Sequence, residues 1–387
     1  MRSLVLLLAL FPGVLSAEVP TVQARGETAP IPMGLTDSDD AAIWANPESP
    51  EQSLILGTSK YAKDGQGGLG VYNLKGEQLQ FFAGSKINSV DIMGDLAIAS
   101  NRSIKALDIY RIEGGQVSFL RQVPLRDAAG KAFEPYGLCL GEDLNQEIRI
   151  FLPTKSGVLF EYRLNSQWDA YLHSSLEVGA QVSAEGDAFI KEVVTKAALA
   201  EGDAAEVEKQ LSQRFILEGC TFHAATQTLY VGMENYGIWA IDAEQQAKLV
   251  IPVQRSWTDS DNWPSAMPRV TDDIEGIDII HSQGHDFLVF SSQGISEFVL
   301  YDLANLQWLG NFKVSFRGSD PVTLTDGVAV QSASLGTEYP SGLLVVHDDA
   351  NTEADGTRKP GNYKIVSVAD IIKLFKLPDS NGDRRSP

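Results

Sequence analysis

The chain has 387 residues, 43% hydrophobic and 21% charged, with two cysteines and a formal net charge of −20. Its composition is that of a globular protein rather than a disordered one, and its length exceeds what a single core usually fills. The acidic balance argues against nucleic acid as a partner, and two cysteines are too few for a disulfide scaffold.

In chain order, Arg2 precedes an apolar run from Leu4 to Phe11, followed by Pro12-Gly13 and small residues up to Ala17. This run is too short to cross a bilayer and fits a secretory signal over residues 1–17, so the mature chain is expected in the periplasm or secreted, with no membrane anchor. After it, most segments read as short strands separated by Gly, Asn, Asp and Ser. They recur as a module: an acidic or small residue, an apolar strand, a second strand, a turn, and a third strand.

The first two modules begin at Asp39-Asp40-Ala41-Ala42-Ile43-Trp44 and Asn88-Ser89-Val90-Asp91. The third begins at Glu134-Pro135-Tyr136-Gly137, and an Ala-, Glu- and Lys-rich insertion over 184–213 follows it, read as one or two short helices on the surface. The fourth, fifth and sixth begin at Leu217-Glu218-Gly219-Cys220, Asp273-Ile274-Glu275-Gly276 and Thr325-Asp326-Gly327-Val328. Repeats of roughly 40–50 residues with several strands each mark propeller blades. The expectation is therefore one all-β domain over 18–378, a six-bladed propeller of four-stranded antiparallel blades, with a disordered tail over 379–387. Cys139 and Cys220 read equally as a disulfide or as buried thiols.

In a propeller the innermost strands line a central channel, so residues preceding them gather at one mouth. That gathers Asp39, Asp40, Glu218, Asp273, Glu275, Asp320 and Asp326, with Glu234 able to join them. Bare carboxylates at such density repel; several Ca²⁺ ions, which take six to eight oxygen ligands, would satisfy them. Zinc is disfavoured, because the five histidines lack paired ligand spacing. Lys60, Arg102 and Lys155 each follow the second strand of a successive module, on the same side as the acids, where they could receive phosphate oxygens. No nucleophile elbow, Walker loop or phosphatase cysteine motif is present, which leaves metal-activated water as the natural nucleophile.

These residues resemble the β-propeller phytase family. The matching elements are Asp39-Asp40-Ala41-Ala42-Ile43-Trp44, Asn88-Ser89-Val90-Asp91, Ala99-Ser100-Asn101-Arg102, Tyr136-Gly137, Glu218-Gly219-Cys220, Asp273-Ile274-Glu275-Gly276 and Thr325-Asp326-Gly327. The resemblance implies a calcium-dependent 3-phytase-like phosphomonoesterase that hydrolyses phytate, myo-inositol hexakisphosphate. By the same resemblance, Asp39, Glu218, Glu234, Asp273, Glu275 and Asp320 hold calcium, with Glu218, Glu234 and Glu275 catalytic. Lys60, Arg102, Tyr136 and Lys155 then bind phosphates, Asp40 and Asp326 also face the metal, and Asp348 and Asn351 occupy matching positions. The family pattern is broken at Met233, Ser156 and Leu324, where acidic residues are usual. The protein is expected to be a monomer. Two other readings are a calcium-bound propeller acting as a binding or accessory module, and a propeller hydrolase of another small molecule such as a lactone.

Overall fold

The computed structural model describes residues 18–31, 37–60, 67–84, 86–200, 204–254, 267–352 and 355–378. The expected signal segment over 1–17 and the tail over 379–387 lie outside these residues. Six separate sheets form six blades, each antiparallel and built around four strands. Inner strands occupy Ser38–Trp44, Ile87–Met93, Cys139–Glu142, Leu217–His223, Ile274–Ser282 and Val328–Gln331. Each touches the next, and the sixth touches the first, so the ring closes.

Burial follows position within the blade. Second strands such as Leu54–Ser59 and Leu96–Asn101 are buried at every residue, because a neighbouring blade covers each face. They therefore read as unbroken apolar runs rather than alternating ones. The outer strand Ala170–Glu177 instead alternates half-buried and exposed residues, since one face meets water. The core is correspondingly a set of interblade layers. One example joins Leu96, Ile98 and Leu107 of the second blade to Leu140, Ile150 and Tyr162 of the third.

Ring closure uses the start of the chain. Gly26–Glu27 pairs antiparallel with Asn362–Ser367 and supplies the outer strand of the sixth blade. Thr21–Ala24 runs parallel to Gln307–Phe316 and adds a strand to the fifth. The ends of the fold are thus tied across two blades.

The insertion forms two helices, Ala184–Ala200 and Ala204–Ser212. They lie between the outer strand of the third blade and the inner strand of the fourth, a connection at the end of the ring where inner strands begin. Asp187 of the first helix accepts from Tyr236 Oη at 3.0 Å and pairs with Arg214 Nε at 2.6 Å.

Candidate active site

Four of the six inner strands carry a register shift at their first residues: between Ser38 and Ala41, Ile87 and Val90, Leu217 and Cys220, and Ile274 and Ile277. Bulges re-aim side chains, and these fall on the residues the modules have in common. The equivalent positions around the ring are Asp39, Asn88, Tyr136, Glu218, Glu275 and Asp326. Glycine follows four of them for a steric reason. A Cβ on Gly137 would lie 1.9 Å from the Glu218 carbonyl oxygen, and one on Gly219 would lie 2.0 Å from that of Glu275. The strands approach backbone to backbone, which pulls the six side chains together.

Glu218, Glu234 and Glu275 are all buried, and one carboxylate oxygen of each lies within 4.8 Å of those of the other two. Glu234 comes from the turn after the second strand of the fourth blade, where its N–H donates to the Ile216 carbonyl and its carbonyl accepts from Ile274 N–H. Glu218 Oε2 and Glu275 Oε2 are buried without a hydrogen-bond partner. Burial first, and then the charge of Glu218, push the Glu234 and Glu275 carboxyls well above the usual carboxylate range. Asp273 adds to the repulsion on Glu234, while Lys155 opposes it. Three close carboxylates, two of them with orphaned oxygens, are a donor set a hard divalent cation takes, so these residues fit calcium.

Asp39 and Asp326 flank this cluster and share Lys60, whose Nζ lies 2.9 Å from Asp39 Oδ1 and 2.7 Å from Asp326 Oδ2. Burial pushes the Asp39 carboxyl well up. On Asp326 burial acts the same way, but Lys60 and His347 outweigh it and hold the group below its ordinary value. The other two cations of the predicted trio meet at Tyr136: Arg102 Cζ lies 4.7 Å and Lys155 Nζ 4.3 Å from the ring centroid. Arg102 also pairs with Glu134 at 2.6 Å and donates to Asn88 Oδ1 at 2.7 Å.

The remaining predicted residues separate from the cluster. Asp40 accepts from the N–H of Ala41 at 2.8 Å and of Val90 at 3.3 Å, so it staples the first blade to the second. Asp91 and Asp278 repeat that arrangement, accepting from Leu140 and Val330 of the adjoining blades. Burial raises Asp91 to about 7 and Asp278 to about 6. All three line the central channel, a cavity of about 220 Å³. Asp320 instead pairs with Lys364, as do Asp348 at 3.2 Å and Glu27 at 2.6 Å, and Asn351 accepts from the same ammonium at 3.1 Å. Lys364 is 0% exposed. Asp320 therefore sits in a second buried group, three carboxylates around one ammonium, outside the Glu218–Glu234–Glu275 cluster. Nothing in the sequence around Asp320 marks Lys364 as its partner, which only the fold brings beside it.

Two contributors were missed. Asn88 was read only as part of a motif, yet it donates to Glu218 Oε1 at 3.2 Å. Lys86 sits at the same mouth, where burial and then Arg102 lower its pKa; it precedes the second inner strand and nothing in its spacing marked it. Cys139 and Cys220 are both buried and bonded, with Cα atoms 5.7 Å apart, and join the inner strands of the third and fourth blades.

The phytase family model matches residues 12–149 and 199–383. The chain belongs to the phytase family. A curated relative, the 3-phytase of Bacillus subtilis strain 168, is 28% identical over 375 residues, covering 92% of this chain and 86% of that protein. The unmatched stretch between the two family segments contains the third and outer strands of the third blade and most of the first insertion helix. Among solved structures, a luciferin-regenerating enzyme is 10% identical with a TM-score of 0.47, over 89% of this chain and 96% of that one. A protein from Lactobacillus plantarum is 11% identical with a TM-score of 0.42, over 84% of each chain. For this phytase-family chain no helix among the described residues is long and apolar enough to cross a membrane.

Proposed function

We propose that this protein is an exported, calcium-dependent 3-phytase-like phosphomonoesterase acting on phytate. The reading is carried by one observation: three buried glutamates within 4.8 Å of one another, two with orphaned oxygens, at a mouth that also presents Lys60, Arg102 and Lys155. Family membership and the 3-phytase relative support the substrate. The apolar run at the start of the sequence and the disulfide support export.

Glu218, Glu234 and Glu275 would hold calcium, with Asp39, Asp273 and Asp326 close by. Bound there, calcium supplies positive charge for phosphate oxygens and lowers the pKa of a bound water. The chain's own residues do the rest. Arg102 and Lys155, carried on the Tyr136 ring, present donors to an incoming phosphate. The Tyr136 phenol stays protonated, since burial and then the glutamates push its pKa up, so it can donate to a phosphate oxygen. Lys60 holds Asp39 and Asp326 in place while offering its remaining donor capacity to the mouth. Glu234 and Glu275 would orient an attacking water beside the incoming phosphate.

The deciding experiment is phosphate release from phytate by the purified protein with calcium and with excess chelator. Release that needs calcium supports the reading. Calcium binding without phosphate release would favour the accessory-module alternative.

A further inference from the structure

We propose that Asn88 is a two-sided positioning residue: its amide N–H fixes the metal-binding Glu218, and its amide oxygen fixes the phosphate-binding Arg102. The inference rests on the calcium-phytase reading and specifies how its two halves are held in register.

Asn88 takes the ring position of the second blade, where other blades carry Asp, Glu or Tyr. It is 1% exposed, and the register shift between Ile87 and Val90 aims it at the mouth. Its main chain is pinned by Thr58 Oγ1 of the first blade, which donates to the Asn88 carbonyl at 2.7 Å. Donor chemistry fixes the side-chain orientation. Arginine can only donate, so Oδ1 faces Arg102 Nη1 at 2.7 Å. With Oδ1 so placed, Nδ2 faces Glu218 Oε1 and donates to it at 3.2 Å.

The consequence at Glu218 is an asymmetry between its two oxygens. Oε1 is tied back by Asn88, and Oε2 is left buried without a partner. One oxygen orients the group and the other remains for a ligand. At Arg102 the amide oxygen and Glu134 hold the guanidinium over Tyr136. An aspartate here would serve Arg102 but place a further charge beside Glu218, and a hydrophobic residue would serve neither. A short neutral amide meets both demands within one buried position.

Three variants test the two sides separately on the full chain: Asn88→Ala, Asn88→Asp and Arg102→Ala, with the Asn88→Ala/Arg102→Ala pair. Calcium binding is read by calorimetric titration of the protein alone, and KM and kcat for phytate are read at saturating calcium. Asn88→Ala should weaken calcium binding roughly tenfold and raise KM several-fold, the scale of hydrogen bonds to charged groups. Arg102→Ala should raise KM and leave calcium affinity within about twofold. In the Arg102→Ala background, loss of Asn88 should raise KM no further, because its effect on phosphate passes through that arginine. Asn88→Asp, which keeps an acceptor for Arg102, should keep KM within about twofold of the parent and lower kcat.

Fully additive KM effects, or calcium affinity unchanged in Asn88→Ala, overturn the proposal. So does an equal loss of kcat and rise of KM in both Asn88 variants accompanied by a fall in melting temperature, which would make the residue scaffold only. If the parent releases no phosphate, the reaction reading fails on its own, and the calcium titration of Asn88→Ala still decides the Glu218 side.

Discussion

Replacing Glu218 with Gln should move activity and metal-free stability in opposite directions. In the folded protein three buried carboxylates crowd within 4.8 Å, and Glu218 is the leading charge raising both Glu234 and Glu275. Glutamine keeps the side chain's shape. Its carbonyl oxygen can still accept from Asn88 Nδ2, and its amide can donate toward Glu234 or Glu275, where Oε2 of Glu275 now lacks a partner. With chelator present, relief of repulsion between desolvated charges should stabilise the variant by about 1–2 kcal/mol, less than the full Coulomb term because the effective dielectric is well above that of dry protein. For a chain this long that is a rise of only a few degrees in melting temperature. With calcium present the order reverses, because the variant has lost a charged ligand. Phosphate release should fall at least about a hundredfold, equivalent to about 2.7 kcal/mol of barrier. The assays are phytate turnover and thermal melts with calcium and with chelator, on one preparation of each protein. Normal turnover, or a lower melting temperature in chelator, would refute the account of the cluster.

The raised Glu234 and Glu275 carboxyls set the sign of the pH response. Their folded pKa values lie above the unfolded reference of about 4.3, so the contribution of these two groups to metal-free stability is fully present below that reference and is lost as pH rises through the folded values. Calcium competes with those protons, so its affinity should increase from pH 5 to 8 with proton release, measured by titration in buffers of different ionisation enthalpy. Lys364→Met leaves Asp320, Asp348 and Glu27 without their shared ammonium, and a loss of about 3–5 kcal/mol is expected in denaturant melts. An unchanged midpoint would show that the cage is not held by that charge. Cys139 and Cys220 close a loop of 81 residues, so the Cys139→Ala/Cys220→Ala pair should lose about 4–5 kcal/mol on the chain-entropy model, read by the same melts.

Much of the site was legible because the propeller repeats one solution. The acids at module starts share a place in each blade, and a repeat converts a sequence position into a direction around the ring. Asp39, Glu218, Glu275 and Asp326 therefore converge as their modules predict, and Lys60, Arg102 and Lys155 follow for the same reason. The third blade departs from that logic. Glu134 was the acid visible in the module, but the ring position belongs to Tyr136, and Glu134 serves Arg102 from a half-exposed site.

The sequence by itself determined the strand modules, their number and the end of the ring at which charge accumulates, since these follow from apolar periodicity and turn chemistry read locally. Only the tertiary structure decided which partners each carboxylate meets. Asp39, Asp40 and Asp320 carry the same side chain, yet Asp39 shares Lys60 with Asp326, Asp40 accepts from backbone N–H groups of its own strand and of the next blade, and Asp320 meets a buried lysine 44 residues further on. The disulfide and the closing strand Gly26–Glu27 were decided the same way. A carboxylate's role depends on the balance of donors around it, and those donors arrive from distant blades that no local pattern can name.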